Sequence, residues 1–316
     1  MIASGEPYRA DHILRDLIQD NRQLLTVISR FGISLRHATR RVGELDECAG
    51  VHSGTFLCVA NMISGRPYDA SVVDLRSLTD YLKRAHTYFL DFFMPNLRRK
   101  LIEAINFARE PELAVGVMKF FDDYVGEVRR HMEYENTNLF GYIDSLLAGK
   151  RDENYAIGIY AEHHDAVSAK LKRLKDVLIR YSPEGNIDQL NSVLFDIINC
   201  EDDLESHCRV EDAILVPAVT AAEDALPGNG VSRRPASGSD EDNTTAPVLG
   251  RREREIVAAV AKGLSNKEIA DQLCISVHTV ATHRRNICSK LEIHTPAGLT
   301  VYAILNGLVD LKDIDL

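Results

Sequence analysis

The chain has 316 residues, a net charge of −10, 45% hydrophobic and 27% charged residues, which predicts a soluble chain of two or three domains and excludes a protein that coats nucleic acid with its whole surface. No apolar run approaches the ~20 residues of a membrane span, and the start MIASGEPYRADHILRDLI lacks the charged-then-apolar layout of a signal peptide. Six cysteines, Cys48, Cys58, Cys200, Cys208, Cys274 and Cys288, follow no framework spacing and form no C-x-x-C, which predicts reduced thiols in a cytoplasm.

Helical patterning begins at Asp11–Ile18 and Leu24–Ile28, stops at Phe31-Gly32-Ile33, and resumes over Thr55–Ile63. His12, His37 and His52 have no partner pattern and read as surface or structural residues. After a connector holding Gly65, Arg66 and Pro67, four long helical patterns follow: Val72–Ala108, with a kink or break expected at Pro95, then Leu113–Leu147, Asn154–Tyr181 and Ile187–Ala222. Their links are short, which predicts antiparallel neighbours and an all-α, up-down four-helix bundle.

Each of these helices offers an imidazole on an apolar stripe. On the first, His86 shares its face with Leu82, Phe89, Leu90 and Phe93. On the second, His131 and Glu135 stand four apart, hence on one face, with Tyr124 and Val128 before them and Leu139 and Tyr142 after. The third has adjacent His163 and His164, of which one can face the core; His164 shares a stripe with Ile157, Tyr160, Val167 and Leu171. The fourth repeats the pair as His207 and Glu211. A lone His-x-x-x-Glu usually means a surface pair, but two on apolar faces, with a histidine on each remaining helix, point to a buried dinuclear metal site. Imidazoles would divide between the ions and the glutamates would bridge them. Iron suits these donors, and manganese or zinc fits the same ligand types. The spacing is neither the Glu-x-x-His of ferritin-like bundles nor the H-E-x-x-H of zinc peptidases; Cys208, one step round the helix from His207, does not read as a ligand, and Cys200, on the seam side, reads as a core cysteine.

The runs RAHTYFLDFFMPNLR, HMEYENTNLFGYI, EHHDAV and SHCRVEDAILVPAV resemble a hemerythrin-like domain of the iron-centre repair type. The resemblance implies a non-haem di-iron centre held by His86, His131, Glu135, His164, His207 and Glu211. The rhythm LIQDNRQLLTVISRFGISL…FLCVAN resembles the short helical domain that precedes it in that family, although Ser34-Leu35-Arg36-His37 stand where the family usually has adjacent cysteines.

Residues 224–247 are rich in Gly, Ser, Pro and acids and read as a flexible linker. Beyond it, a helix starts near Leu249 and ends at Gly263. Ser265 and Glu268 form a capping box, Cys274-Ile275-Ser276 makes a turn, and Ser276 caps a helix running to Leu291, which makes a helix-turn-helix. No acid interrupts its basic face, and a last helix, Pro296–Leu308, is apolar enough to pack and to pair. The run LGRREREIVAAVAKGLSNKEIADQLCISVHTVATHRRNICSKL resembles the LuxR-type DNA-binding domain, with Gly250 where the family usually has threonine. That resemblance puts the helix after Ser276 in the major groove, with Thr282 and Arg285 at base edges and Lys267, Thr279, His283, Arg284 and Lys290 at phosphates.

The sequence therefore predicts four segments: 1–65, a short helical domain; 66–223, a hemerythrin-like bundle; 224–247, the linker; 248–316, the LuxR-type domain. The expected function is a homodimeric transcriptional regulator of promoter DNA, not an enzyme, whose di-iron domain senses O2, nitric oxide or redox state, without membrane association. Two rivals are an iron-repair or nitric-oxide/peroxide-handling di-iron protein with an attached DNA-binding domain, and a metal-free interaction bundle.

Overall fold

A computed structural model describes residues 5–105, 111–150, 157, 167–180, 187–226, 249–291, 293 and 295–314. Among them the regular structure is all α-helical, with a single isolated bridge between Ile13 and Arg41. None of the described helices is long and apolar enough to cross a membrane. The chain divides into two compact units.

The first unit comprises Met1–Phe93, Arg129–Asp165 and Asp202–Val231. Its N-terminal part holds α1 (Leu14–Asp20), α2 (Leu24–Arg30), α3 (Leu45–Ala49) and α4 (Ser53–Ile63). Gly32 ends the α2 region in a left-handed conformation, φ 70°, where the Ile33 amide reaches back to the Ile28 carbonyl at 3.0 Å. A side chain would be strained there. The α4 start is set by His52, whose Nδ1 accepts from the Thr55 amide at 3.2 Å, so this histidine is a cap.

The helix carrying His86 begins at α5 (Leu75–Thr87), where Asp74 accepts from the Ser77 amide at 2.7 Å. It passes through a π-helical segment, Tyr88–Phe93, directly into α6 (Met94–Ala104). Pro95 thus neither breaks nor ends the helix. A proline lacks the amide for the regular ladder and crowds the carbonyl four residues back, and a widened turn immediately before it absorbs both defects. The second long helix repeats the plan: α7 (Pro111–Tyr134), a π segment at Glu135–Leu139, then α8 (Phe140–Leu147). So does the fourth: α10 (Ile187–Val210), a π segment at Glu211–Leu215, then α11 (Val216–Ala225) with Pro217 near its start. Within the first unit α8 packs on α5 and α11, around Leu78, Leu82, Leu139, Phe140, Ile143, Val210, Ile214 and Leu215. Glu223 of α11 is buried and accepts from the Tyr142 hydroxyl at 2.5 Å and the Ile157 amide at 3.1 Å.

The second unit comprises Met94–Val128, Ala166–Glu201 and Ser232–Leu316. Of the third long helix, α9 (Val167–Arg180) is described. His163 and His164, with most of the expected linker, lie outside the described residues. The C-terminal helices are α12 (Arg251–Ala261), α13 (Asn266–Leu273), α14 (Val277–Leu291) and α15 (Pro296–Leu305). α15 ends three residues earlier than its pattern suggests, and Gly307, φ 66°, turns the chain. It is buried from Gly298 through Leu305, packing on α12 and on α9. It also meets α7, where a Cβ added to Gly116 would lie 3.0 Å from Val301 Cγ1. Arg180 of α9 donates to the Ile314 carbonyl at 3.3 Å. The helix expected to pair is thus covered by its own chain.

Candidate metal centre and nucleic-acid interface

His86, Glu135, His207 and Glu211 converge in the first unit, one ligand atom from each lying within 4.8 Å of all the others. All four are buried, the glutamates completely. His86 Nε2 and His207 Nε2 face each other at 3.2 Å. Glu135 reaches both ways, with Oε2 at 3.3 Å from His86 Nε2 and Oε1 at 3.1 Å from His131 Nε2. Glu211 Oε1 lies 3.2 Å from His207 Nε2. The glutamates are the first residues of their π segments, and their carbonyls accept from the amides five residues on, at Phe140 and Val216. Each histidine sits one α-turn before its glutamate, so the helix face aims both side chains inward before the turn widens.

The chemistry of this cluster suits a cation. Burying two carboxylates is costly without compensating charge. Burial, aided by the neighbouring His207, pushes His86 down to about 3, and burial pushes His207 down to about 4. Both rings are therefore neutral near pH 7, the form that ligates metal. Burial alone would raise Glu135, but the hydrogen bond and charge of His131, with His207 and His86, hold it well below its usual range. His131 differs. Its ring is 23% exposed, and although burial works against its charge, Glu135 and Glu211 raise its pKa. It touches the cluster at its rim.

Asn136 was missed by pattern reading. Its Oδ1 lies 3.0 Å from His86 Nδ1, an outer hydrogen bond of the kind that orients ligating histidines. A regular helix would turn the residue after Glu135 away from that face. Phe140 stacks on His86 at 5.5 Å. Cys200 is buried, and Cys208 is half-buried with its thiol pushed up to about 12, chiefly by burial, so Cys208 is not a ready thiolate.

In the C-terminal helices the caps follow the sequence. The Ser265 amide donates to Glu268 Oε2 at 2.7 Å, the Glu268 amide returns to Ser265 Oγ at 3.3 Å, and the Thr279 amide donates to Ser276 Oγ at 3.0 Å. Gly250, without a side chain to cap α12, still has its own amide held by Glu253 Oε2 at 2.9 Å. Lys267, Thr282 and Arg285 are exposed, while Thr279, His283 and Arg284 are half-buried. Two cations are also used internally: Arg284 donates to Asn266 Oδ1 at 2.6 Å, and Lys290 Nζ lies 2.7 Å from Glu253 Oε2. These tie α14 to α13 and to α12; Lys267 and Arg285 stand exposed, and the exposed Thr282 donates its hydroxyl to the His278 carbonyl at 3.0 Å.

Residues 77–219 match the model of the hemerythrin HHE cation-binding domain, and residues 247–303 match that of the luxR family of bacterial regulatory proteins. The C-terminal part is similar to the oxygen regulatory protein NreC of Staphylococcus carnosus (strain TM300), 41% identical over 76 residues, 23% of this chain and 35% of the relative. It is also similar to NreC of Staphylococcus aureus (strain JH9), 42% identical over 76 residues, again 23% of this chain and 35% of the relative. The chain thus spans about a third of the length of these curated relatives. No solved structure matches.

Proposed function

From a chain that joins a hemerythrin HHE cation-binding domain to a LuxR-family DNA-binding domain, we propose a one-component transcriptional regulator whose metal centre senses O2, nitric oxide or redox state. The observation that carries the reading is the convergence of His86, Glu135, His207 and Glu211 in a buried core. Those four residues would hold a pair of non-haem iron ions, with His131 at the rim and with His164, which lies outside the described residues, completing the donors. Bound iron supplies a change of oxidation state and an affinity for small diatomic ligands; zinc fits the donors but supplies no redox change. Glu135 would help to hold both ions, a reading supported by its two oxygens facing different histidines. The relatives' name speaks of oxygen, but the segment shared with them is the DNA-binding one, and the bundle is where a signal would bind.

Promoter DNA is read by a homodimer, Thr282 and Arg285 at base edges and Lys267, Thr279, His283, Arg284 and Lys290 at phosphates. α15 is the surface through which copies pair, and α7 and α9 of the same chain cover it. Since α7 carries both His131 and Gly116, a change of ligation that shifts α7 alters the cover on α15. The test is DNA affinity measured side by side for the reduced, oxidised and nitrosylated protein, on fragments the protein selects from genomic DNA. A difference of about 5–150-fold is expected of a working switch. Equal affinities refute the sensor, and multiple-turnover consumption of nitric oxide or peroxide assigns an enzyme instead.

A further inference from the structure

Arg30, the last residue of α2, is only 3% exposed. A guanidinium in a core is expensive unless its donors are matched. Nη1 and Nη2 grip Asp203 Oδ1 and Oδ2 at 2.8 and 2.6 Å, the forked geometry that makes such pairs strong and directional. The guanidinium carbon lies 4.8 Å from the centre of the Phe89 ring and 5.5 Å from that of Tyr88. Phe89 in turn stands edge-on to His207, with ring centres 6.0 Å apart. The N-terminal segment thus places a buried charge where the helices bearing His86 and His207 approach each other.

As glue between segments this arrangement is a poor choice, because an apolar pair of similar volume usually holds a core as well or better. Its position suggests another role. Asp203 precedes His207 by four residues on α10 and shares its face. Ligating histidines commonly pass their second N–H to a carboxylate or carbonyl, as His86 does toward Asn136. His207 Nδ1 is buried and has no hydrogen-bond partner among the described residues, and the carboxylate one turn before it is held in place by Arg30.

Resting on the metal reading above, we propose that Arg30 is a positioning residue of the metal centre: it fixes Asp203, and through Asp203 the turn of α10 that presents His207. The N-terminal segment is then part of the centre and not an appendage to it. Loss of Arg30 leaves a half-buried carboxylate free to reorient beside His207, which changes the ligand's orientation and basicity.

The test uses the full chain. Arg30→Met combined with Asp203→Leu removes the pair without stranding a charge, Arg30→Lys keeps the charge without the fork, and His207→Ala is the control. Three quantities are measured: the melting midpoint of the metal-free protein, Fe(II) affinity by chelator competition, and the visible absorption of the ferric form. The paired variant is expected to melt near the parent yet bind iron about 10–100-fold more weakly with a shifted absorption band, and Arg30→Lys to fall between. A folded paired variant with the parent's affinity and spectrum overturns the proposal. If that variant does not fold, Arg30→Lys decides, and parental affinity and spectrum in it overturn the proposal equally. A parent that takes up no iron, and so matches His207→Ala, sinks the metal reading itself and this proposal with it, an outcome distinct from the others.

Discussion

Gly116 is where α7 admits α15, and Gly116→Leu is the sharpest probe of the link between bundle and DNA-binding helices. A Cβ at this position would lie 3.0 Å from Val301 Cγ1, 3.5 Å from Val301 Cβ and 3.8 Å from the Gly298 carbonyl. Alanine already requires Val301 to give by a few tenths of an ångström; leucine adds three more carbons to the same contact. Overpacking of this kind costs about 1–3 kcal/mol. Replacing glycine inside a helix also gains about 0.8–1 kcal/mol, but α7 is helical whether or not α15 is docked, so that gain cancels from the docking equilibrium. The steric term alone shifts the docked-to-undocked ratio by about 5–150-fold. Hydrogen exchange of α15 amides in the full chain reads this as faster exchange, with α7 itself unchanged or better protected. Val301→Ala in the same background removes the clashing methyls and should restore protection, less the ~1.6 kcal/mol of burial that those methyls contributed. Unchanged α15 exchange in a folded Gly116→Leu chain refutes the claim that this contact controls α15.

Three further outcomes follow from the same geometry. His207→Ala with Glu211→Ala removes both donors of one helix and should lower bound iron by at least half in elemental analysis; full metal content would remove these residues from the donor set. Glu253 would be raised by burial, but hydrogen bonds from Lys290 and the Gly250 amide lower its pKa. Its contribution is therefore present above the ordinary carboxylate range and lost as pH falls through the lowered value. Glu253→Gln should cost about 1 kcal/mol at pH 7, a modest figure because Lys290 is half in solvent, and the gap between variant and parent melts should close in acid; a gap persisting there contradicts the ion-pair account. On selected DNA, Arg285→Ala should cost about 1–3 kcal/mol and relax preference at one position, whereas Lys267→Ala should weaken all sequences alike and reduce the salt slope by about 1; the opposite assignment would exchange their roles.

What the sequence made legible was the local chemistry. Ser265 with Glu268 and Ser276 with Thr279 act within four residues, so composition alone locates both helix starts. His131 with Glu135 and His207 with Glu211 lie within one α-turn, and that turn is regular up to the glutamate. What it hid lies at long range. Arg30 and Asp203 are 173 positions apart, and each looks like an ordinary surface charge in its own helix. Lys290, read as a phosphate contact, is also claimed by Glu253, 37 positions away.

The π segments belong to neither class, and they show how a local signal can be read with the wrong consequence. Pro95 and Pro217 each stand two residues beyond the end of a π segment, and Gly141 holds the corresponding place after the third. A proline in a helix is ordinarily read as a break. In this chain the widened turn leaves the helix continuous and inserts an extra residue just after the donors. This rotates everything downstream and brings Asn136 back toward His86, and a strict 3.6-residue stripe cannot represent it. The same widening starts at the carboxylates, and single-turn π segments inside α-helices are frequent at functional sites. A centre that must answer a change in charge with movement of α7 or α10 is best built at such a point, because a regular helix on both sides of the donor would resist the shift.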